Sequence, residues 1–314
     1  MFGYIFQRIL ATIPVMAVVA IFVFSLLHLT PGDPAAVIAG DYASPEDIIR
    51  IRHKLGLDKP IHVQFGIWIG HVLRGDLGTS IFSGLPVTTL IGQRLEPTLS
   101  LTIFTMLIAA VTAIPMWVLA AWKSRTWIDR IVMMFAVLGF SMPVFWLGFL
   151  LMYSFAIRLS LLPVQGYVNL SKGLLPFLRH LILPSLTLGL VYMALIARMT
   201  RASMLEVLQE DYIRTAHAKG LKPNAVLIRH ALKNASLPVV TIIGVGFALL
   251  IGGVVVTESV FAIPGLGRLT VDAILHRDYP VIQGVILIVS AAYVLINLLV
   301  DLIQSLHSPS NTLV

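Results

Sequence analysis

Six stretches of this chain run for 17 to 27 residues without a single Asp, Glu, Lys or Arg: 9–29, 98–121, 131–157, 181–197, 239–257 and 281–300. A helix rises about 1.5 Å per residue and a bilayer core is about 30 Å thick, so about 20 apolar residues make one crossing. No water is available in that core. Every backbone N–H and C=O must therefore pair within the segment, which a helix does by itself. The pattern predicts an all-α polytopic membrane protein with about six transmembrane helices. The shortest stretch, 181–197, extends to Met199 if Arg198 snorkels toward water. The first has the basic flank of a signal peptide in Arg8, but it is too long for one and "HLTPGDP" lacks a small-residue cleavage site; a retained helix is expected.

Composition agrees. The 314 residues are 58% hydrophobic and 12% charged, against about a quarter charged in soluble domains. The apolar runs leave no room for a soluble domain of ordinary size, so the chain reads as a single transmembrane domain over 1–314. The net charge of +7 comes without a basic patch interleaved with aromatics, so it points to membrane orientation and anionic lipid rather than nucleic acid. With no cysteine, the chain has no disulfide, thiolate metal site or cysteine nucleophile.

Lys and Arg orient the spans. The flank 1–8, the loop 122–130, the segment 198–233 and the tail hold eleven of them. The two shorter loops on the opposite side hold five. The segment 30–97 is long enough to cross regardless of its charge and is discounted. Both termini and the basic segment are therefore expected in the cytoplasm, with 30–97 a long external loop after the first helix.

That loop has local order. In "SPEDIIRIRHKLGL", Ser44 is a cap signal, Pro45 suits the first helical position, and Ile48, Ile51 and Leu55 recur at helical spacing. In "PIHVQFGIWIGHVL", Val63, Ile67 and Leu73 share a face, with Trp68 beside it. "GDLGTSIFSGLPV" carries turn residues and a short extended piece. The loop reads equally as a cap packed on the spans or as a docking platform.

Pro14, Pro115, Pro143 and Pro184 interrupt spans and are kink candidates; Pro143 sits in "GFSMPVFWLGF" between Gly139 and Gly148. The nine histidines are scattered, with no HExxH and no zinc-enzyme spacing. Glu258 and Asp301 lie at span ends, where water lowers the cost of charge, and are given structural roles. Asp33 and Asp278 read as turn and cap residues, and "IPGLGRL" as a tight external turn before an interfacial helix.

The remaining feature is polar. "RASMLEVLQEDYIRTAHAKG" reads as one helix, with Ser203, Leu205, Leu208, Tyr212, Thr215 and Ala216 near one another on the wheel. Gly220 is a C-terminal stop and Pro223 forbids continuation. Lys219 and Lys222 sit at the negative end of the helix dipole. A second helix restarts in "PNAVLIRHALKNASLP". The small residues Ala216, Ala218 and Gly220 allow another surface to come close, so the segment reads as a docking contact or as a plain connection.

"DYIRTAHAKG" followed by "RHALKNASLP" resembles the coupling loop of binding-protein-dependent ABC importer permeases, in the dipeptide, oligopeptide, nickel and glutathione subfamily. "LTPGDPA", "LGLDKPIHVQF", "GDLGTS", "ILPSLTLG", "ESVFAIPGLGRLTVDAI", "RDYPVIQG" and "NLLVDLI" follow the same family order almost end to end. The general motif Glu-Ala-Ala-x-x-x-Gly falls on Arg214, Thr215, Ala216 and Gly220, so a base stands where the acid is usual.

The resemblance implies the type I permease fold of ABC importers and a bacterial inner-membrane location. It implies a heterodimer with a second, homologous permease, two ABC ATPases docked below, and an extracytoplasmic substrate-binding protein. The coupling loop spans 203–237, and its contact residues would be Tyr212, Arg214, Thr215, Ala216, His217, Lys219 and Gly220. ATP and Mg would bind the partner ATPases. No cofactor is expected in this non-catalytic chain, which has no GxxxxGK[ST] loop. The implied cargo is a di- or oligopeptide, with glutathione or nickel as alternatives. An intramembrane enzyme needs convergent polar groups inside the spans, and a secondary transporter usually needs ionisable ones; both are the more distant readings.

Overall fold

Four of the six apolar stretches lie inside helices longer than the stretch itself. A computed structural model describes residues 2–29, 33, 35–36, 44–54, 56–124 and 126–307. The helices are α1 (Phe2–Leu29), α2 (Pro45–Lys54), α3 (Ile61–Leu73), α4 (Val87–Trp122), α5 (Trp127–Ser141), α6 (Val144–Leu151), α7 (Leu174–Val207), α8 (Asp211–Ala218), α9 (Lys233–Gly253), α10 (Val255–Val260), α11 (Leu266–Leu275) and α12 (Tyr279–His307). A π-helical turn, Met152–Arg158, continues α6, and another, Val226–Leu232, leads into α9. Five helices among the described residues are long and apolar enough to cross a membrane, and one bent pair makes a sixth where its two halves count as a single span.

The bent pair corrects the expectation of one helix over 131–157. The axis turns by 103° between its two halves, Trp127–Gly139 and Val144–Arg158. Met142 is extended, with φ −87° and ψ 133°. The ring of Pro143 disfavours helical ψ at the preceding residue, and the helix restarts only after it. Pro14, Pro115 and Pro184 lie inside continuous helices and break none of them. The fifth stretch stops at Gly253, earlier than predicted, and α10 begins after Val254.

The chain divides into two compact units. The first comprises 1–95 and 268–294. Its core joins Ala20 and Val23 of α1 to Leu287 of α12, with Trp68, Ile69 and Val72 of α3 against them. Phe24 meets Phe65 and Trp68 at ring-centroid distances of 5.3 and 5.6 Å. His28 pairs with Gln64 at 3.1 Å. This reverses the predicted face of α3. Val63, Ile67 and Leu73 point outward, while Phe65, Trp68, Ile69 and Val72 pack inward. The helix is apolar nearly all round, so periodicity alone did not select the packed side.

Farther along, α2 begins at Pro45, with Ile48 N–H donating to the Ser44 carbonyl. Leu55 and the side chain of Ile51 lie outside the described residues, as does the tail after His307. The extended piece after α3 is a single antiparallel bridge, Thr79 to Pro86. Asp33 is the turn residue expected: its Oδ1 accepts from the Ala35 N–H, and it pairs with Arg52. Asp278 does more than cap α12. Its buried carboxylate accepts from the Ser80 hydroxyl and from the Ile81 and Phe82 N–H groups, tying together segments about 200 residues apart.

The second unit comprises 96–267 and 295–314. Its core centres on Leu101, Met106 and Trp117 of α4, Leu181, Leu188 and Ile196 of α7, and Val239 and Leu250 of α9. Dense packing of this kind supplies helix association where lipid is as apolar as the side chains. At Gly139, α5 comes so close to α7 that a Cβ would lie 3.2 Å from the Leu190 carbonyl oxygen.

Candidate functional site

The polar segment and its surroundings lie wholly within the second unit. The single helix expected over 201–220 is two helices. α7 ends at Val207, and Glu210 is extended, with φ −68° and ψ 146°. α8 then starts with Asp211 in its first turn, where a carboxylate suits the positive end of the dipole. Breaking the helix changes which residues share a face. Leu205 and Leu208 pack against a buried cluster, whereas Tyr212 and Thr215 are exposed.

The apolar side of α8 is Ile213 and Ala216, both buried. They join Val118 and Ala121 near the end of α4, Met204 near the end of α7, Val226, Leu227 and Ala231 in the turn leading into α9, and Ala235 at its start. A helix of eight residues is too short to be stable alone in water. These span ends hold it. Removing Ile213 from water and filling this cluster is worth about 1.5–3 kcal/mol.

The other side faces outward. Tyr212, Arg214, Thr215, His217, Lys219 and Gly220 are all exposed. Tyr212 is anchored, its Oη accepting from Asn234 Nδ2 at 2.8 Å. Arg214 pairs with Asp211 one turn back at 3.2 Å, an exposed contact of little energetic weight. Gly220 has φ +78°, the left-handed conformation that closes a helix. The Gly220 N–H donates to the His217 carbonyl at 2.9 Å and the Leu221 N–H to the Ala216 carbonyl at 3.3 Å. Pro223 opens the next helical turn, as its position demanded.

Six of the seven predicted contact residues therefore form one exposed, basic ridge. Ala216 belongs to the inward face, where its small side chain lets α8 settle close on its own supports. Sequence reasoning missed Ile213, the residue that fixes the ridge. Its signal was present, because Ile213 and Ala216 are three apart and both apolar.

One turn before Met204, Arg201 of α7 reaches Asp129 in the first turn of α5. Nε donates to Oδ1 and Nη2 to Oδ2, each at 2.8 Å. The Asp129 side chain is only 8% exposed. This pair was also missed. Its trace in the sequence is a lone acid in a basic loop that opens an apolar run.

The far end of α4 carries two more polar clusters. Glu258 is fully buried, which corrects the expectation that water at a span end relieves it. Its Oε1 instead accepts from Thr98 Oγ1 at 2.7 Å, and Thr98 accepts from the Leu266 N–H at 2.8 Å. A Cβ at Gly265 would collide with this carboxylate, so the glycines of "IPGLGRL" serve close packing around an acid. Nearby, Glu96 accepts from Tyr167 Oη at 3.1 Å, Asn169 Nδ2 at 3.0 Å and the Leu170 N–H at 3.0 Å. Burial pushes the Tyr167 hydroxyl up to about 12, so it stays a donor at physiological pH.

The arrangement is mechanical. A short helix rests on several span ends and presents a basic ridge. Comparison with known proteins gives it a context. The family described as "Binding-protein-dependent transport system inner membrane component" matches residues 113–312. The N-terminal component of the same systems matches residues 1–102. The chain belongs to this family of inner-membrane permeases. Among its relatives, the "Probable peptide ABC transporter permease protein y4tP" of Sinorhizobium fredii is 55% identical over 98% of both chains. The "Glutathione transport system permease protein GsiC" of Salmonella typhimurium is 47% identical over 99% of both. The "Dipeptide transport system permease protein DppB" of Alkalihalophilus pseudofirmus is 43% identical over 98% of this permease and 99% of its own length. The permease is thus a multi-pass inner-membrane component of an ABC importer, a machine that works with an ATPase and a binding protein.

Proposed function

We propose that this permease forms half of the translocation path of an ATP-driven peptide importer, and that α8 is the helix through which a partner ATPase drives it. The observation that carries the reading is the seating of α8: its apolar face is locked onto span ends by Ile213, and its basic ridge is left outward. A helix so held passes a push to the spans rather than absorbing it. The coupling loop corresponds to 203–237, and Tyr212, Arg214, Thr215, His217, Lys219 and Gly220 offer the ATPase-facing surface, with Ala216 beneath.

The complex on this reading holds a second, homologous permease, two ATPases that bind ATP and Mg and perform all hydrolysis, and a binding protein that delivers peptide. Both termini and α8 lie in the cytoplasm, and 30–97 lies outside, in line with the Lys and Arg bias. Di- and oligopeptides are the cargo the 55% and 43% identical relatives favour. Glutathione is the second reading, favoured by the 47% identical relative.

The test is purification through a terminal tag from native membranes, followed by reconstitution in proteoliposomes. Co-purification of a second permease and two ATPases is expected, with ATP hydrolysis and peptide uptake stimulated by the loaded binding protein. Absence of the ATPases, or uptake indifferent to ATP, overturns the proposal. Competition between a dipeptide and glutathione separates the two cargo readings.

A further inference from the structure

We propose that Asp129 and Arg201 are positioning residues for transport: their ion pair carries motion of the α8 platform into the bent span formed by α5 and α6. This rests on the coupling role of α8 proposed above.

Motion at α8 has direct routes into α4, α7 and the start of α9, which supply the buried cluster around Ile213 and Ala216. Among the described residues, that cluster contains none from α5. Yet α5 is half of the bent pair, whose axis turns by 103° between its two halves. A bent helix can rotate about its break at lower cost than a continuous one, because the hydrogen bonds there are already interrupted. If the platform is to act on that span, something must fasten α5 to an element that α8 touches.

Arg201 provides the fastening. It lies three residues before Met204, one turn along α7, and Met204 is fully buried against the α8 cluster. The two parallel N–H···O bonds to Asp129 fix direction as well as distance. Higher up, α5 lies along α7: Val132, Ile128 and Met133 share its core, and Gly139 approaches the Leu190 carbonyl. Apolar packing already holds α5 beside α7; the ion pair adds a directional link at the end nearest α8. A single Lys in place of Arg201 would supply attraction without the fork geometry.

The test uses the reconstituted complex and compares Asp129→Asn with the double variant Asp129→Asn plus Arg201→Met. The single variant weakens a nearly buried pair and is expected to lower assembly as well as transport. The double variant removes both charges, which relieves the burial penalty. It is expected to recover complex yield and basal ATP hydrolysis, while uptake per ATP hydrolysed stays about tenfold below the parent. Arg201→Lys is expected to fall between the two. Parent-level uptake per ATP in the double variant overturns the proposal, since the pair would then serve stability alone. So does a parallel fall of uptake and basal hydrolysis in every variant. Failure of the underlying reading shows separately, as ATP-independent uptake by the parent complex.

Discussion

Thr98 and Glu258, 160 residues apart, meet through a 2.7 Å hydrogen bond in which the hydroxyl donates to a carboxylate with no solvent exposure. The same hydroxyl accepts from the Leu266 N–H, so one threonine pins both the α10 carboxylate and the start of α11. Removing it leaves a buried acceptor short of a donor. Thr98→Val is expected to cost about 1–3 kcal/mol, read as a lowered melting temperature of the purified complex. An unchanged midpoint would mean that other donors suffice for Glu258.

Gly265→Ala acts on the same cluster from the other side. Its Cβ would strike the Glu258 carboxylate, which has no exposed volume to retreat into. Overpacking of this kind costs about 1–3 kcal/mol or more. The expected outcome is a drop in membrane yield of folded protein, measured by monodisperse recovery in detergent. Combining it with Glu258→Ala, which empties the space, should restore part of that yield.

Ile213→Asp tests the seat of α8. A charge introduced among Met204, Val118 and Val226 has no counter-ion in the cluster and drives the helix off its supports. Insertion of the spans should persist while ATPase co-purification falls sharply. Ile213→Val, the loss of one methylene, is expected to cost about 0.5–1.5 kcal/mol and leave the complex intact.

Gly220 separates conformation from space. Its φ is +78°, but a Cβ there meets nothing within 4 Å in this chain. Asn tolerates the left-handed region and β-branched residues do not. Gly220→Asn should therefore couple hydrolysis to uptake nearly as the parent does, whereas Gly220→Val should lower coupling. Equal loss in both variants would point instead to close contact of this site with the ATPase.

Asp278→Ala removes the acceptor shared by Ser80, Ile81 and Phe82. The turn at 80–84 is then held by its backbone bonds, the Ser83 N–H to Ser80 Oγ bond and the Phe82–His276 ring contact. Faster proteolysis within 75–86, with the spans still protected, is the expected result, and unchanged cleavage would show that the anchor is dispensable.

The crossings, the all-helical class, the stop at Gly220 and the basic ridge were all legible in the sequence. These depend on local chemistry: apolar length, helix-ending glycine and proline, and charge that cannot enter a bilayer. The family was legible for the same reason, since its motifs are short and contiguous. Tertiary structure decided the rest. Of four interrupting prolines, only Pro143 marks a break, because whether a helix continues past proline depends on neighbours that satisfy its backbone. α3 packs through Trp68 rather than Val63 because an almost uniformly apolar helix has no preferred face until it meets α1. The break at Glu210 turned Ala216 inward and made Ile213 the anchor of α8. Glu258 found Thr98, Asp278 found Ser80, and Asp129 found Arg201, all across distances in sequence that no local pattern spans. A charge or carboxylate removed from water must have a partner, but only the fold determines which residue that partner is.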